Sequence, residues 1–203
     1  MHTILDLPTV HRIAVLATIP LIRSIHPEDL HRRTPCAGWD LADLLAHMTV
    51  QHRGFAAAAW GDGADPTNWD VAAVRDDVTR APGPTYTDAA LDVLDAFGVD
   101  DALQRQFAIP EFGPGAEFPG TVAIGFHLVD YVVHGWDVAA SIGAEYHLPA
   151  EVIDATLPLA LAIPDGEFRD GPIVPFGRAR TGSETHDLDQ ILRHLGLEIE
   201  WTP

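Results

Sequence analysis

The chain of 203 residues carries 12 Lys or Arg against 30 Asp or Glu, and its formal net charge of −18 argues against a nucleic-acid backbone or an anionic membrane surface as partner. Its length fits one domain with at most a small appendage, and an apolar fraction of 47% argues against global disorder. The single cysteine, Cys36, excludes disulfides within the chain and a cysteine-rich zinc site, and with no evident signal peptide or membrane span we expect a cytoplasmic protein.

The first third of the chain predicts two main helices. Apolar residues recur at steps of three and four over Leu7–Ile25, although Pro20 should kink this helix or end it early. A connector over residues 27–39 then leads to a second helix, which begins sharply at Asp40 and runs to about Trp60, where a Gly-Asp-Gly run stops it.

The middle of the chain predicts two more main helices separated by long connections. Residues 61–84 form an excursion with at most a short helix near residues 71–79. A third main helix follows from about Thr87 to Phe97, and residues 104–109 are expected to be extended. A fourth main helix runs from about Pro119 to Ser141.

The C-terminal part is predicted to be smaller and less regular. A fifth helix is expected over residues 151–163, irregular chain over 164–186 and a short last helix over 187–195. The whole pattern predicts a mainly α fold, with a four-helix bundle over residues 1–145 and a small C-terminal α/β or irregular extension over 146–203 packed on it.

Four ligand-type residues lie on the fourth main helix: His127, Asp130, His134 and Asp137. Their spacing of three, seven and ten residues places them within an arc of about 80° on an otherwise apolar α-helix. Such groups are costly to bury unless they are paired or ligated. Asp130 and His134 are close enough to bind one metal ion, and the alternative is a hydrogen bond in which Asp130 holds His134 in one tautomer.

A third ligand would have to come from another helix, and His47 in the second helix is the best candidate. His52 competes, but it lies on a different face of that helix. With Asp130 and His134, His47 would supply two imidazoles and one carboxylate, which suits Zn²⁺ or another divalent first-row ion and leaves a position open. Four further residues are candidates for a supporting or pocket-lining role: His127, Asp137, Gln51 and Trp136.

Other residues that could carry chemistry are expected to be structural. Cys36 lies in a turn with no His next to it in the sequence, although a helix N-terminus could lower its pKa. Arg178 and Arg180 could reach a substrate carboxylate, with surface salt bridges as the alternative. Most remaining histidines are expected at the surface, among them His2, His11, His26, His31 and His186.

Three sequence segments resemble a known family: TPCAGWD at 34–40, DLLAH at 43–47 and DYVVHGWDVA at 130–139. They are similar to segments of the actinobacterial maleylpyruvate isomerase-like metal-binding family, which belongs to the DinB-like superfamily. The resemblance spans about residues 7–142 and continues more weakly to the end, through residues 172–175 and 189–192.

The resemblance implies a DinB-like four-helix bundle with one divalent metal held by His47, Asp130 and His134. The family usually has Glu where this chain has Asp130, and the shorter side chain could alter the metal preference. Characterised relatives use the thiol mycothiol, and some isomerise maleylpyruvate while others transfer the thiol to electrophiles.

The resemblance therefore leads us to expect a mycothiol-dependent isomerase or S-transferase that acts on a small electrophile, as a monomer or homodimer, with Zn²⁺ favoured as the metal. One alternative is a non-catalytic, metal-containing binding or resistance protein. The other is a bundle whose His and Asp cluster is merely structural.

Overall fold

The computed structural model describes residues 6–171, 175–182 and 186–202. Over these residues the chain forms seven α-helices and one short antiparallel hairpin, so the predicted mainly α fold is confirmed. The helices are α1 (Leu7–Arg23), α2 (Leu41–Trp60), α3 (Ala72–Arg80), α4 (Pro82–Phe97), α5 (Gly120–Ile142), α6 (Ala150–Leu161) and α7 (Asp187–His194). Within these described ranges, every helix is too short or too polar to cross a membrane.

Helix α1 continues through Pro20 and ends at Arg23, so the proline does not stop it as the sequence had suggested. A proline inside a helix removes one backbone hydrogen bond. Pro20 and Leu16 both lie on the exposed side of α1, where water can satisfy the carbonyl oxygen that has lost its donor.

Helix α2 begins and ends where the sequence predicts. The Asp40 side chain accepts a hydrogen bond from the Asp43 backbone N–H, and the Asp43 side chain accepts one from Asp40, which satisfies two donors of the first turn. The helix ends at Gly61, whose φ of 97° lies in the left-handed region.

Two differences from the sequence prediction lie in the middle of the chain. Helix α4 begins at Pro82 rather than near Thr87, because prolines in a first helical turn cost no hydrogen bond. The extended stretch predicted near residues 104–109 is strand β1 (Gln106–Ala108), and it pairs with an unpredicted partner, β2 (Glu117–Pro119).

The bundle is formed by α1, α2, α4 and α5, which pack against one another around a fully buried apolar core. Helix α6 packs on α1 and α5 and contacts α7, so both smaller helices lie on the outside of the bundle. The division of the chain near residue 145 stays a prediction. The consequence for the site is that α2 and α5 face each other across the interior.

Candidate metal centre

The three predicted ligands come together between α2 and α5. One ligand atom from each of His47, Asp130 and His134 lies within 4.8 Å of the other two. The Nε2 atom of His134 is 3.3 Å from Oδ1 of Asp130, and the rings of His47 and His134 meet edge to face with centroids 5.2 Å apart. We call these three residues the metal trio.

Asp137 supports His134 from one turn further along α5. The Nδ1 atom of His134 donates to Oδ2 of Asp137 over 2.8 Å, and Asp137 is only 1% exposed. A carboxylate that holds one ring nitrogen fixes the ring and leaves the other nitrogen for a metal ion. Here that other nitrogen, Nε2, is the one that faces Asp130.

Cys36 reaches the same histidine from the connector before α2. Its Sγ donates to Oδ2 of Asp137 over 3.3 Å and lies 3.9 Å from Nδ1 of His134. No sequence pattern predicts this contact, because the contacting residues are about 100 positions apart along the chain. Cys36, His134 and Asp137 thus form a second set of possible ligand atoms that shares His134 with the metal trio.

The charges at the site are set by burial and by the carboxylates. Burial alone disfavours a charged His134, but Asp130 and Asp137 outweigh it, so the pKa of His134 is raised well above its ordinary value. Burial also opposes the charge of Asp130, and the attraction of His134 and His47 nevertheless lowers its pKa. Burial lowers the pKa of His47 to about 4, so this imidazole is neutral at pH 7.

Cys36 is poorly suited to act as a nucleophile in this setting. Burial raises the pKa of its thiol, and the nearby Asp137 charge raises it further, while contact with His134 only partly opposes them. The side chain is therefore a protonated thiol at neutral pH, which agrees with the structural role that we expected.

Beside the trio lies a carboxylate, Glu111, that no sequence pattern had indicated. Gln51, one helical turn after His47, donates from Nε2 to both carboxylate oxygens of Glu111, each over 2.9 Å. Burial and the charge of Asp130 raise the pKa of Glu111. Glu111 lies in a stretch rich in Gly and Pro, where no periodic pattern points to one face. On the other side, the ring of Trp39 lies 4.9 Å from that of His47.

The other two candidate supporting residues lie away from the trio. His127 is fully buried, and its ring nitrogens contact His11 and His52, at 2.8 Å and 3.3 Å. Trp136 packs with apolar residues of α6 and α7 on the outer side of α5.

The expected surface position is wrong for two histidines. His11 and His52 are fully buried, because each packs against His127 inside the bundle. His26, His31 and His186 are exposed as expected. His2 lies outside the described residues.

Arg178 and Arg180 make contacts at the surface, which was the alternative to their binding a substrate carboxylate. Arg178 forms a bidentate pair with Asp170, at 2.7 Å and 2.6 Å, and Arg180 donates to the backbone oxygen of Gly196 over 2.7 Å. Of the segment at 172–175 that carried the weaker resemblance, residues 172–174 lie outside the described ranges.

The donor set of the trio fits a divalent first-row ion. Two imidazole nitrogens and one carboxylate oxygen converge, and three protein ligands are the arrangement of catalytic sites that keep a position open. The same geometry also accommodates a hydrogen-bonded ion pair of Asp130 with a protonated His134, so the distances alone fit both interpretations.

Comparison with known proteins supports the resemblance. A family model described as Mycothiol maleylpyruvate isomerase N-terminal domain matches residues 14–139. Two uncharacterised proteins of Mycobacterium tuberculosis, from two strains, are each 28% identical to this chain over 198 residues, which cover 93% of this chain and 96% of the relative.

Two solved structures are similar to this one. The crystal structure of the mycothiol-dependent maleylpyruvate isomerase matches with a TM-score of 0.60 and 16% identity, over 81% of this chain and 73% of that chain. A variant of that enzyme in which a histidine is replaced by alanine matches with a TM-score of 0.58, with the same identity and coverage. At this identity the likeness concerns the fold, and it confirms the predicted DinB-like helical fold.

Proposed function

This chain belongs to the mycothiol maleylpyruvate isomerase N-terminal domain family, and we propose on this premise that it is a metal-dependent enzyme that uses a low-molecular-weight thiol on a small electrophile. We propose mycothiol as the thiol, and the description of the family as mycothiol maleylpyruvate isomerase N-terminal domain supports this. The reaction is either a cis–trans isomerisation of the maleylpyruvate type or the transfer of the thiol to the electrophile.

The observation that carries this proposal is the convergence of the metal trio with Asp137 behind it. His47 and His134 offer imidazole nitrogens from two facing helices, and Asp130 offers the carboxylate. Asp130 is shorter than the Glu usual in the family, yet its Oδ1 lies 3.3 Å from Nε2 of His134, so it reaches the same point.

When bound there, Zn²⁺ or a similar ion would lower the pKa of a coordinated thiol and so supply a thiolate at neutral pH. Asp137 holds His134 by Nδ1 and keeps Nε2 directed into the site. Trp39 and Glu111 border the space that the thiol and electrophile would enter.

The thiol sulfur adds to an electrophilic carbon, and the fate of the adduct separates the two reactions. In an isomerisation the former double bond rotates as a single bond before the thiol leaves again. In a transfer the new carbon–sulfur bond remains. Cys36 takes no part in either reaction, because its thiol is partly buried, protonated and hydrogen-bonded to Asp137.

The proposal is tested by metal analysis and by thiol chemistry on the purified full chain. We expect about one equivalent of divalent metal per chain and less than about a tenth in His134→Ala, because one of three ligands is lost. The matched control is His147→Ala, whose side chain is 81% exposed and remote from the trio. Equal occupancy in the wild type and His134→Ala would contradict the metal trio.

The catalytic part of the proposal is tested on the same preparations. Metal-loaded protein with mycothiol and a panel of electrophiles should give an adduct or an isomerised product above the uncatalysed rate, and His134→Ala should lose this activity. Metal occupancy with tight ligand binding but without any product would identify a non-catalytic binding protein instead.

A further inference from the structure

Glu111 is held beside the candidate site by its surroundings. It lies in the turn between β1 and β2, where both of its carboxylate oxygens accept hydrogen bonds from Gln51. Gln51 is buried and lies one turn from His47 on α2. The neighbouring ring of Phe112 packs on Phe126 of α5, with centroids 5.1 Å apart, so the turn is anchored to both helices that hold the trio.

The site that Glu111 borders is rich in negative charge. Asp130 is a member of the trio, and the charge of Asp130 is felt at Glu111, whose pKa it raises in addition to burial. Asp137 adds a third carboxyl group, and its Oδ1 is buried without a hydrogen-bond partner among the described residues. An ion of charge +2 with Asp130 as ligand would leave one net positive charge at the site. The negative charges of Asp137 and Glu111 would together make the net charge of the site negative.

Among the described residues, no arginine forms an ion pair with Asp130, Asp137 or Glu111, whose contacts include His134 and Gln51. All 12 basic residues are arginines, and several are paired elsewhere, as Arg178 is with Asp170. No arginine contributes to the pKa shift of any of five residues at the site: Cys36, His47, Glu111, Asp130 and His134. A substrate with carboxylates is usually held by such cations, often by a bidentate arginine.

We propose that Glu111 is a specificity-determining residue that makes the site select neutral thiols and electrophiles over anionic ones. The inference rests on the proposed function and narrows it. Maleylpyruvate carries two carboxylates, so this site is better suited to transferring a thiol to an uncharged electrophile than to isomerising a dicarboxylate. Repulsion between Glu111 and an anionic ligand acts before any bond changes, and it therefore affects the affinity of binding.

The test measures thiol binding to the Co²⁺-loaded full chain by the sulfur-to-cobalt absorption band, which needs no turnover. The probes are 2-mercaptoethanol and 2-mercaptoethanesulfonate, which share a carbon chain and differ by a permanent negative charge on a weakly coordinating group. The uncompensated charge of Glu111 should make the neutral thiol bind about tenfold more tightly than the sulfonate. The preference should weaken as salt is added.

Two variants assign the preference to Glu111. Glu111→Gln keeps the shape and one of the two hydrogen bonds from Gln51 but removes the charge, and it should reduce the preference to about threefold or less. Glu117→Gln is the matched control, because Glu117 is an exposed carboxylate on β2 of the same hairpin, and it should leave the preference as in the wild type.

The outcomes separate this inference from the proposed function. Binding of both thiols with equal affinity, or tighter binding of the sulfonate, overturns the inference while the function stands. An unchanged preference in Glu111→Gln also overturns it. If neither thiol gives the absorption band and no electrophile is converted, the proposed function fails and the inference fails with it.

Discussion

Two groups of histidines lie within the same bundle, and only one of them contains a histidine whose pKa is raised. The metal trio, with Asp137 behind it, combines imidazoles with carboxylates, and the pKa of His134 is raised. The second group, which we call the histidine row, consists of His11, His127 and His52. It has no carboxylate within hydrogen-bonding reach among the described contacts, and its pKa values are all lowered.

The histidine row is packed like an aromatic core. All three side chains are fully buried, and His127 stacks on Tyr131 with ring centroids 4.1 Å apart. Burial lowers the pKa of His11 to about 3. The nitrogens inside the row contact one another, with Nε2 of His11 2.8 Å from Nδ1 of His127 and Nδ1 of His52 3.3 Å from Nε2 of His127. The outer nitrogens, Nδ1 of His11 and Nε2 of His52, are buried without a hydrogen-bond partner among the described residues. The rings are therefore held mainly by packing against other aromatic side chains.

The comparison shows that burial does not decide the role of a histidine in this bundle. Both groups are enclosed by helices, and α5 contributes to each of them. The acidic partner makes the difference, because Asp130 and Asp137 hold a charge on His134 and position it, whereas His127 meets only other neutral rings. Three predictions test this contrast.

The largest effect is expected on the free energy of unfolding when the pH is lowered, because of the histidine row. Below pH 6.5 the unfolded chain takes up protons at four histidines that stay neutral in the folded state, namely the three of the histidine row and His47. The free energy of unfolding should therefore fall as pH decreases, by up to about 1.4 kcal/mol per pH unit for each histidine. His134 does not offset this below pH 6.5, because its raised pKa keeps it protonated in the folded state and its ordinary pKa near 6.5 protonates it in the unfolded state.

The measurement is urea unfolding of chelator-treated protein at several pH values between 7 and 5. The matched variant is His127→Phe, which keeps an aromatic ring in the row and removes one titrating group. Its free energy of unfolding should depend less steeply on pH than that of the wild type. A slope as steep as that of the wild type would show that the row does not stay neutral in the folded protein.

A smaller effect is expected from Asp137, the carboxylate that supports His134. Asp137→Asn keeps the size of the side chain but removes the charge, and it should weaken metal affinity about 10- to 100-fold. Competition with a chromophoric chelator measures this. Asp154→Asn serves as control, because Asp154 is exposed on α6. Unchanged affinity in Asp137→Asn would mean that the carboxylate does not position the ligand.

The smallest effect is expected from Cys36. Because its thiol is a weak donor to Asp137, Cys36→Ala should change metal occupancy by less than about twofold. Metal analysis and thermal unfolding of the variant check this. A loss of metal as severe as that expected for His134→Ala would show instead that the ion is held by Cys36, His134 and Asp137.

Local signals in the sequence were sufficient to predict the helices that carry the site. The capping residues Asp40 and Asp43 and the terminal Gly61 define α2, and the stripe on α5 predicts Asp130 and His134 as a pair. These features depend on neighbours within a few residues, so helical geometry alone places them.

Contacts between distant parts of the chain could not be predicted from the sequence. His127 and His134 lie on the same stripe of α5, and the packing of His11 and His52 against His127 is one of the contacts that separate their roles. The approach of Cys36 to His134 likewise depends on how the connector before α2 folds over α5. No periodic pattern encodes such contacts.

The length of α5 has a consequence for motion. His127 and His134 are two turns apart on one continuous helix, so the histidine row and the metal trio share the same ladder of backbone hydrogen bonds. Segments of this kind open and close as cooperative units. An ion that holds His134 in place would therefore slow amide hydrogen exchange around His127 as well, although it touches nothing there.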